Sequence, residues 1–249
     1  LLNSNDGATS YVAFSGGDGY VGCGIESMPP IAANLNGATV NFSAAQTLTS
    51  LSFSSGTLQG SGDVTITGNL NWTFGTMMAG ARTILAGGAT ASFSANSTKG
   101  LNRTLDNSGT ITYGGLGLTF GYTAAAAGVI NNLPGGVFSV TGEGDFNQSS
   151  VAAHAFNNSG TFNKNASSAA SQTANFPDFT NTGTFNINSG TFRFSQTGTN
   201  AQTGTTGGNV VVNGIIGPNV TGVTQNVTGT SGRSTSPRPT CPTACASRR

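Results

Sequence analysis

Only 7% of the 249 residues are Asp, Glu, Lys or Arg, against about 25% in ordinary soluble domains, so the polar surface must come from Asn, Ser, Thr and Gln. The formal net charge of +1 gives no field to draw the chain onto phosphate backbones or anionic membranes, which argues against nucleic acid as a partner. Cys23 stands alone in the body, with Cys241 and Cys245 far downstream. A disulfide scaffold is therefore excluded, while 36% hydrophobic residues still allow one continuous core.

The first residues, Leu1-Leu2-Asn3-Ser4-Asn5-Asp6, have neither the basic start nor the apolar stretch of an export signal, so the chain reads as a mature or excised piece of something longer. No apolar run approaches the roughly 20 residues of a membrane helix, and insertion of this segment in a membrane is not expected. Residues 1–30 are Gly-rich, carry Tyr11, Phe14 and Tyr20, and close on Met28-Pro29-Pro30. Consecutive prolines interrupt a strand ladder, and this segment is expected to form an N-terminal cap or entry.

Residues 31–227 repeat. Gly, Asn, Ser and Thr break every 3.6-residue stripe, whereas short alternating stretches such as Val64-Thr65-Ile66-Thr67 and Phe138-Ser139-Val140 are bounded by turn residues. One motif, Asn-(Ser/Thr)-Gly-Thr-(Phe/Ile), starts at Asn107, Asn158, Asn181 and Asn188. A second pairs Gly56-Thr57-Leu58 with Gly75-Thr76-Met77, 19 residues on. A third, Gly-Ala-Thr, occurs at Gly37 and Gly88, with Phe42 and Phe93 at the same offset. Units of about 19 to 27 residues predict an all-β solenoid, a right-handed parallel β-helix.

In such a stack Asn and Gly take the left-handed conformation of a sharp corner, Thr faces outward, and Phe or Ile faces inward. Stacked asparagines hydrogen-bond along the axis. Phe162 and Phe185, equivalent in consecutive units, should pack ring on ring. The 19-residue offset sets Asp63 against Arg82 in the next coil. The run Ala124 to Ala127 forms a short helical turn or a bulging loop. From residue 228 to 249 the composition changes to Ser, Pro, Thr and Arg, as in a disordered tail.

The stretch from Leu51 to Phe93, LSFSSGTLQGSGDVTITGNLNWTFGTMMAGARTILAGGATASF, followed by RTLDNSGTITYGG, resembles the β-strand repeats of large secreted bacterial surface proteins of the autotransporter-passenger and filamentous-haemagglutinin-like kind. The resemblance covers roughly residues 31 to 215. It implies a non-enzymatic structural or adhesive segment at a bacterial cell surface or outside the cell, with glycans or a host or neighbouring cell surface as partners. Some β-helices are instead polysaccharide lyases or hydrolases, which is the alternative function.

No catalytic set, cofactor site or metal site emerges. Glu143 and Asp145 are the only close acidic pair, suited to binding Ca²⁺ or to acid and base work on a glycan, though a polar loop needs nothing more. Trp72 could offer an outward ring to a sugar, against the plainer expectation of core packing. These three residues are the weak ligand candidates. His154 is the sole histidine, so no histidine-based metal cluster can form, and no nucleophile elbow surrounds a serine that it might serve. Cys241 and Cys245 have the wrong spacing for a zinc or redox pair. An ice-ordering face is disfavoured because no Thr-x-Thr column extends beyond Thr65 and Thr67.

Overall fold

The computed structural model describes residues 11–21, 31–95, 97–123, 126–142, 144–149, 152–165, 178–188, 191–192, 210–212 and 215–216. Among them lie 22 strands and no helix. Every paired strand runs parallel to its neighbour, each coil resting on the one before, in a β-solenoid of about seven turns. The tail at 228–249 and most of the chain beyond 192 lie outside the described residues.

Each coil has three faces. From residue 31 the chain runs along a first face (31–35), a second (38–42) and a third (46–48), and then begins again on the first at residues 50–53. Going up the first face, Phe53, Trp72, Phe93, Tyr113, Val140, Lys164 and Ile187 occupy equivalent positions. Successive spacings are 19, 21, 20, 27, 24 and 23 residues. They fall in the expected range, and the longest reflects the wide connection between Phe120 and Val129. Strand Tyr11–Val21, in the expected cap, pairs in parallel with Ile31–Phe42.

Alternation decides which residues form the core. On the first face Leu70, Trp72, Phe93, Ile111, Phe138 and Phe162 are all 0% exposed, and the residues between them face out, because successive side chains in a strand point to opposite sides. Phe162 and Phe185 stack with centroids 5.1 Å apart, in the register of Thr161–Lys164 on Thr184–Ile187. Leu58 over Met77 on the second face and Ile66 over Leu85 on the third extend the core.

Two expectations are corrected. The Gly-Ala-Thr repeat is not a coil repeat: Phe93 lies on the first face above Trp72, whereas Phe42 lies on the second, opposite Val21. Left-handed glycines do stand at Gly37, Gly56, Gly75 and Gly88 of the second and third motifs, but the Asn-(Ser/Thr)-Gly-Thr corners do not need that backbone. Among the described residues only Ala95 has positive φ without being glycine, and Gly109, Gly160 and Gly183 do not have it. They are glycine because a Cβ on Gly160 would collide with the carbonyl oxygens of Leu133 and Gly136, and one on Gly183 with that of Gly160. The stack brings corner onto corner too closely for a side chain.

Candidate functional site

At three of its four occurrences the first asparagine of the repeated motif lies inside the molecule, joined there by Asn132, whereas the fourth, Asn188, is exposed and donates to Asn165 at 2.7 Å. Asn107, Asn132, Asn158 and Asn181 are at most 1% exposed and continue the column that lower coils fill with Leu48, Ile66 and Leu85. Each Nδ2 donates to the next Oδ1: Asn107 to Asn132 at 2.7 Å, Asn132 to Asn158 at 2.7 Å, Asn158 to Asn181 at 2.5 Å. The second Nδ2 hydrogen reaches a backbone carbonyl, Val137, Thr161 and Thr184 respectively. These amides are buried and bonded upward through the stack, so their role is register and rigidity.

Five polar residues on and beside the outward third face bond one another. Asp63 lies 2.6 Å from Arg82, as its 19-residue offset requires, and Arg82 also reaches Asp106 at 3.1 Å. Asn131 donates to Asp106 and Asn157 donates to Asn131. The side-chain hydrogen bond from Arg82 holds the Asp63 carboxyl below its ordinary range, and the bond to Asp63 raises the guanidinium. With Arg82 standing between the two carboxylates and the Asp63 carboxyl held ionised, Asp63 is not placed to serve as a proton donor.

The sequence candidates divide. Trp72 is wholly buried, stacked on Phe53 at 5.9 Å and edge-on to Phe93 at 5.1 Å, so an outward platform for a sugar is excluded. Asp145 is half-buried on the second face; its carbonyl accepts from the Tyr113 hydroxyl at 2.9 Å, whose pKa burial raises. Glu143 lies outside the described residues. His154 is 2% exposed, and its Nδ1 accepts from the Gly128 N–H at 3.0 Å. That bond holds the ring as an acceptor at Nδ1, a packing role. No group of three or more His, Cys, Asp or Glu that could hold a metal ion occurs among the described residues.

Sequence reasoning missed three buried cations. Lys99 is 0% exposed, its Nζ donates to the Ser97 carbonyl at 3.0 Å, and burial lowers its pKa to about 8. Arg103 is 2% exposed, donates to the Arg82 carbonyl at 3.0 Å, and is lowered to about 10 by burial. Lys164 is likewise wholly buried. Lys99 and Lys164 occupy inward strand positions, which alternation alone would have revealed had the register been known.

The first face differs from the third. Its outward positions over three coils are Asn69 and Asn71, Thr90 and Ser92, and Thr110 and Thr112, aligned pair over pair. All six are exposed or half-exposed. Among the described residues none donates to or accepts from these side chains. The patch carries no charge, although charged residues occur on both other faces. Thr110-Ile111-Thr112 is also a Thr-x-Thr unit that the sequence reading passed over.

No family model matches the chain, and neither a curated protein nor a solved structure does. What the fold defines is a class: a parallel β-solenoid repeat protein, three-faced, with an internal asparagine ladder.

Proposed function

We propose that this chain is a non-enzymatic structural or adhesive segment of a bacterial protein that acts outside the cell or at its surface, holding other parts at a distance and presenting polar ladders. The observation that supports this most is the use of its few ionised groups. Asp63, Arg82 and Asp106 bind one another along the axis, whereas glycan cleavage needs carboxylates that converge on one substrate. Near-absence of charge with abundant Asn, Ser and Thr suits a surface that meets neutral glycans or a neighbouring cell, and does not suit nucleic acid. Stiffness follows from coils that each bond to the next along three faces.

The test is to incubate the purified chain with a panel of neutral and acidic polysaccharides and to follow new reducing ends and unsaturated products. The proposal expects no shortening of any polymer. Chain scission that disappears in Asp145→Asn would overturn it in favour of a lyase or hydrolase on the same scaffold. Placement outside the cell is tested by protease shaving of intact bacteria expressing the full gene: protection of this segment until lysis would contradict it.

A further inference from the structure

We infer that the outward first face between residues 69 and 112 is a docking surface for a neutral polysaccharide, an assignment that rests on the adhesive reading above and gives it a location. Three observations carry it. The first is unused hydrogen-bonding capacity. On the third-face side Asp63, Arg82, Asp106, Asn131 and Asn157 bond one another, and farther along the first face Asn186 donates to Asn163 at 2.8 Å. Between them Asn69, Asn71, Thr90, Ser92, Thr110 and Thr112 have no partner among the described residues. They form two columns about 7 Å apart along the strand, with rungs about 4.8 Å apart along the axis.

The second observation is charge. These six positions are neutral, so neither a polyuronate nor a phosphate finds a counter-ion there, while hydroxyls of an uncharged sugar find both donors and acceptors. The third is an apolar border. Phe74, two residues beyond the strand that carries Asn69 and Asn71, is 43% exposed, and Leu116, beyond the strand that carries Thr110 and Thr112, is 55% exposed. Both sit at the corner between the first and second faces, at the two ends of the three-coil patch. A sugar ring has an apolar face of C–H groups that packs on an aromatic ring while its rim hydroxyls bond to polar side chains. Mixing Asn, Ser and Thr along each column favours a flexible polyol over ice, whose lattice asks for one repeated hydroxyl.

The experiment is electrophoresis of the full chain through gels cast with xyloglucan, mannan, dextran or hydroxyethyl cellulose as neutral probes, and with polygalacturonate as the charged one. At least one neutral polymer is expected to retard the chain. In Asn71→Ala/Thr112→Ala and in Phe74→Ala the affinity for it should fall about tenfold, equivalent to about 1.4 kcal/mol. All three side chains face outward, so circular dichroism and the urea midpoint should stay at their original values. Ser92→Lys, which removes no contact within the protein, is the second blocking variant should the double substitution fail to fold. Absence of retardation by every neutral polymer, unchanged retardation in the variants, or preference for polygalacturonate overturns the inference. Thermal hysteresis lost in the same variants assigns the face to ice and overturns it as well. Shortened polymer in the gel overturns the non-catalytic reading and leaves the surface assignment standing. Retardation that vanishes in Asp145→Ala alone has the opposite effect.

Discussion

Asn158 tests the internal ladder best, because its three hydrogen bonds have separable consequences. Its Nδ2 donates to Asn181 Oδ1 and to the Thr184 carbonyl, and its Oδ1 accepts from Asn132. Alanine removes the donor from two buried acceptors, while Asn132 keeps its bond to the Thr161 carbonyl. Each buried group left without a partner costs about 1–3 kcal/mol, and a small cavity adds to this, so Asn158→Ala should destabilise by about 3–5 kcal/mol. Asn158→Asp keeps the shape and the bond from Asn132, but turns the donor into an oxygen facing two other oxygens. Its cost should exceed that of alanine at neutral pH and shrink on acidification, as the carboxyl gains a proton it can donate.

Urea unfolding followed by circular dichroism reads both variants, with the slope checked because a stack of repeats need not unfold in one step. Replacing Asn107, Asn132, Asn158 and Asn181 together by Leu, which continues the Leu48, Ile66 and Leu85 column, should cost far less than four times the single change, since few partners are orphaned. A cost below about 1 kcal/mol for alanine, with aspartate no worse, would refute the ladder as a source of stability.

Phe162→Ala removes a ring packed against Phe138, Phe156 and Phe185 and should cost about 3–5 kcal/mol in the same assay; a value near zero would contradict the core. Gly160→Ala sets a Cβ against backbone oxygens of two residues in the coil beneath and should cost at least about 2 kcal/mol, whereas φ-based reasoning gives almost nothing here. Lys99 has a folded pKa of about 8 against 10.5 unfolded. Between those values the unfolded chain binds more protons, so Lys99 makes stability rise with pH through that window. Lys99→Met should stabilise the protein below pH 8 and remove that part of the rise; an unchanged profile would mean the amine is not buried in solution. Asp63 has a lowered carboxyl pKa, so its contribution is present above its unfolded pKa and is lost as pH falls through the folded one. In Arg82→Ala that acid limb should weaken.

Legibility followed from how local each signal is. Asn-x-Gly-Thr-Phe identified coil corners because a corner, an outward Thr and an inward Phe are consecutive, so Phe162 over Phe185 needed only a count of 23 residues. Asp63 against Arg82 was equally accessible, since no insertion intervenes in that coil. Gly-Ala-Thr misled because all three faces use the same short strands and small corner residues, and unequal coil lengths carry equal sequences to different faces. The glycines were rightly placed for an incomplete reason: contact between coils is invisible in a single strand. Asn107, Lys99 and Lys164 were missed as interior residues because inward and outward depend on the register of the whole stack, and polar residues by themselves signal the outside. The free first-face patch was hidden for the same reason, since an asparagine bonded within a ladder and an unbonded one read alike.

Parallel stacking at one coil spacing is the central claim, and spin-label distances measure it directly. With Cys23, Cys241 and Cys245 replaced by Ser, labels at positions 52 and 163 are five coils apart, by way of Asn71, Ser92, Thr112 and Ser139. Pulsed dipolar spectroscopy should find a narrow backbone-to-backbone separation of about 24 Å, although 110 residues intervene, and moving the first label from 52 to 71 should shorten it by about 4.8 Å. A broad distribution, or a distance that does not shorten by one coil spacing, would contradict the solenoid.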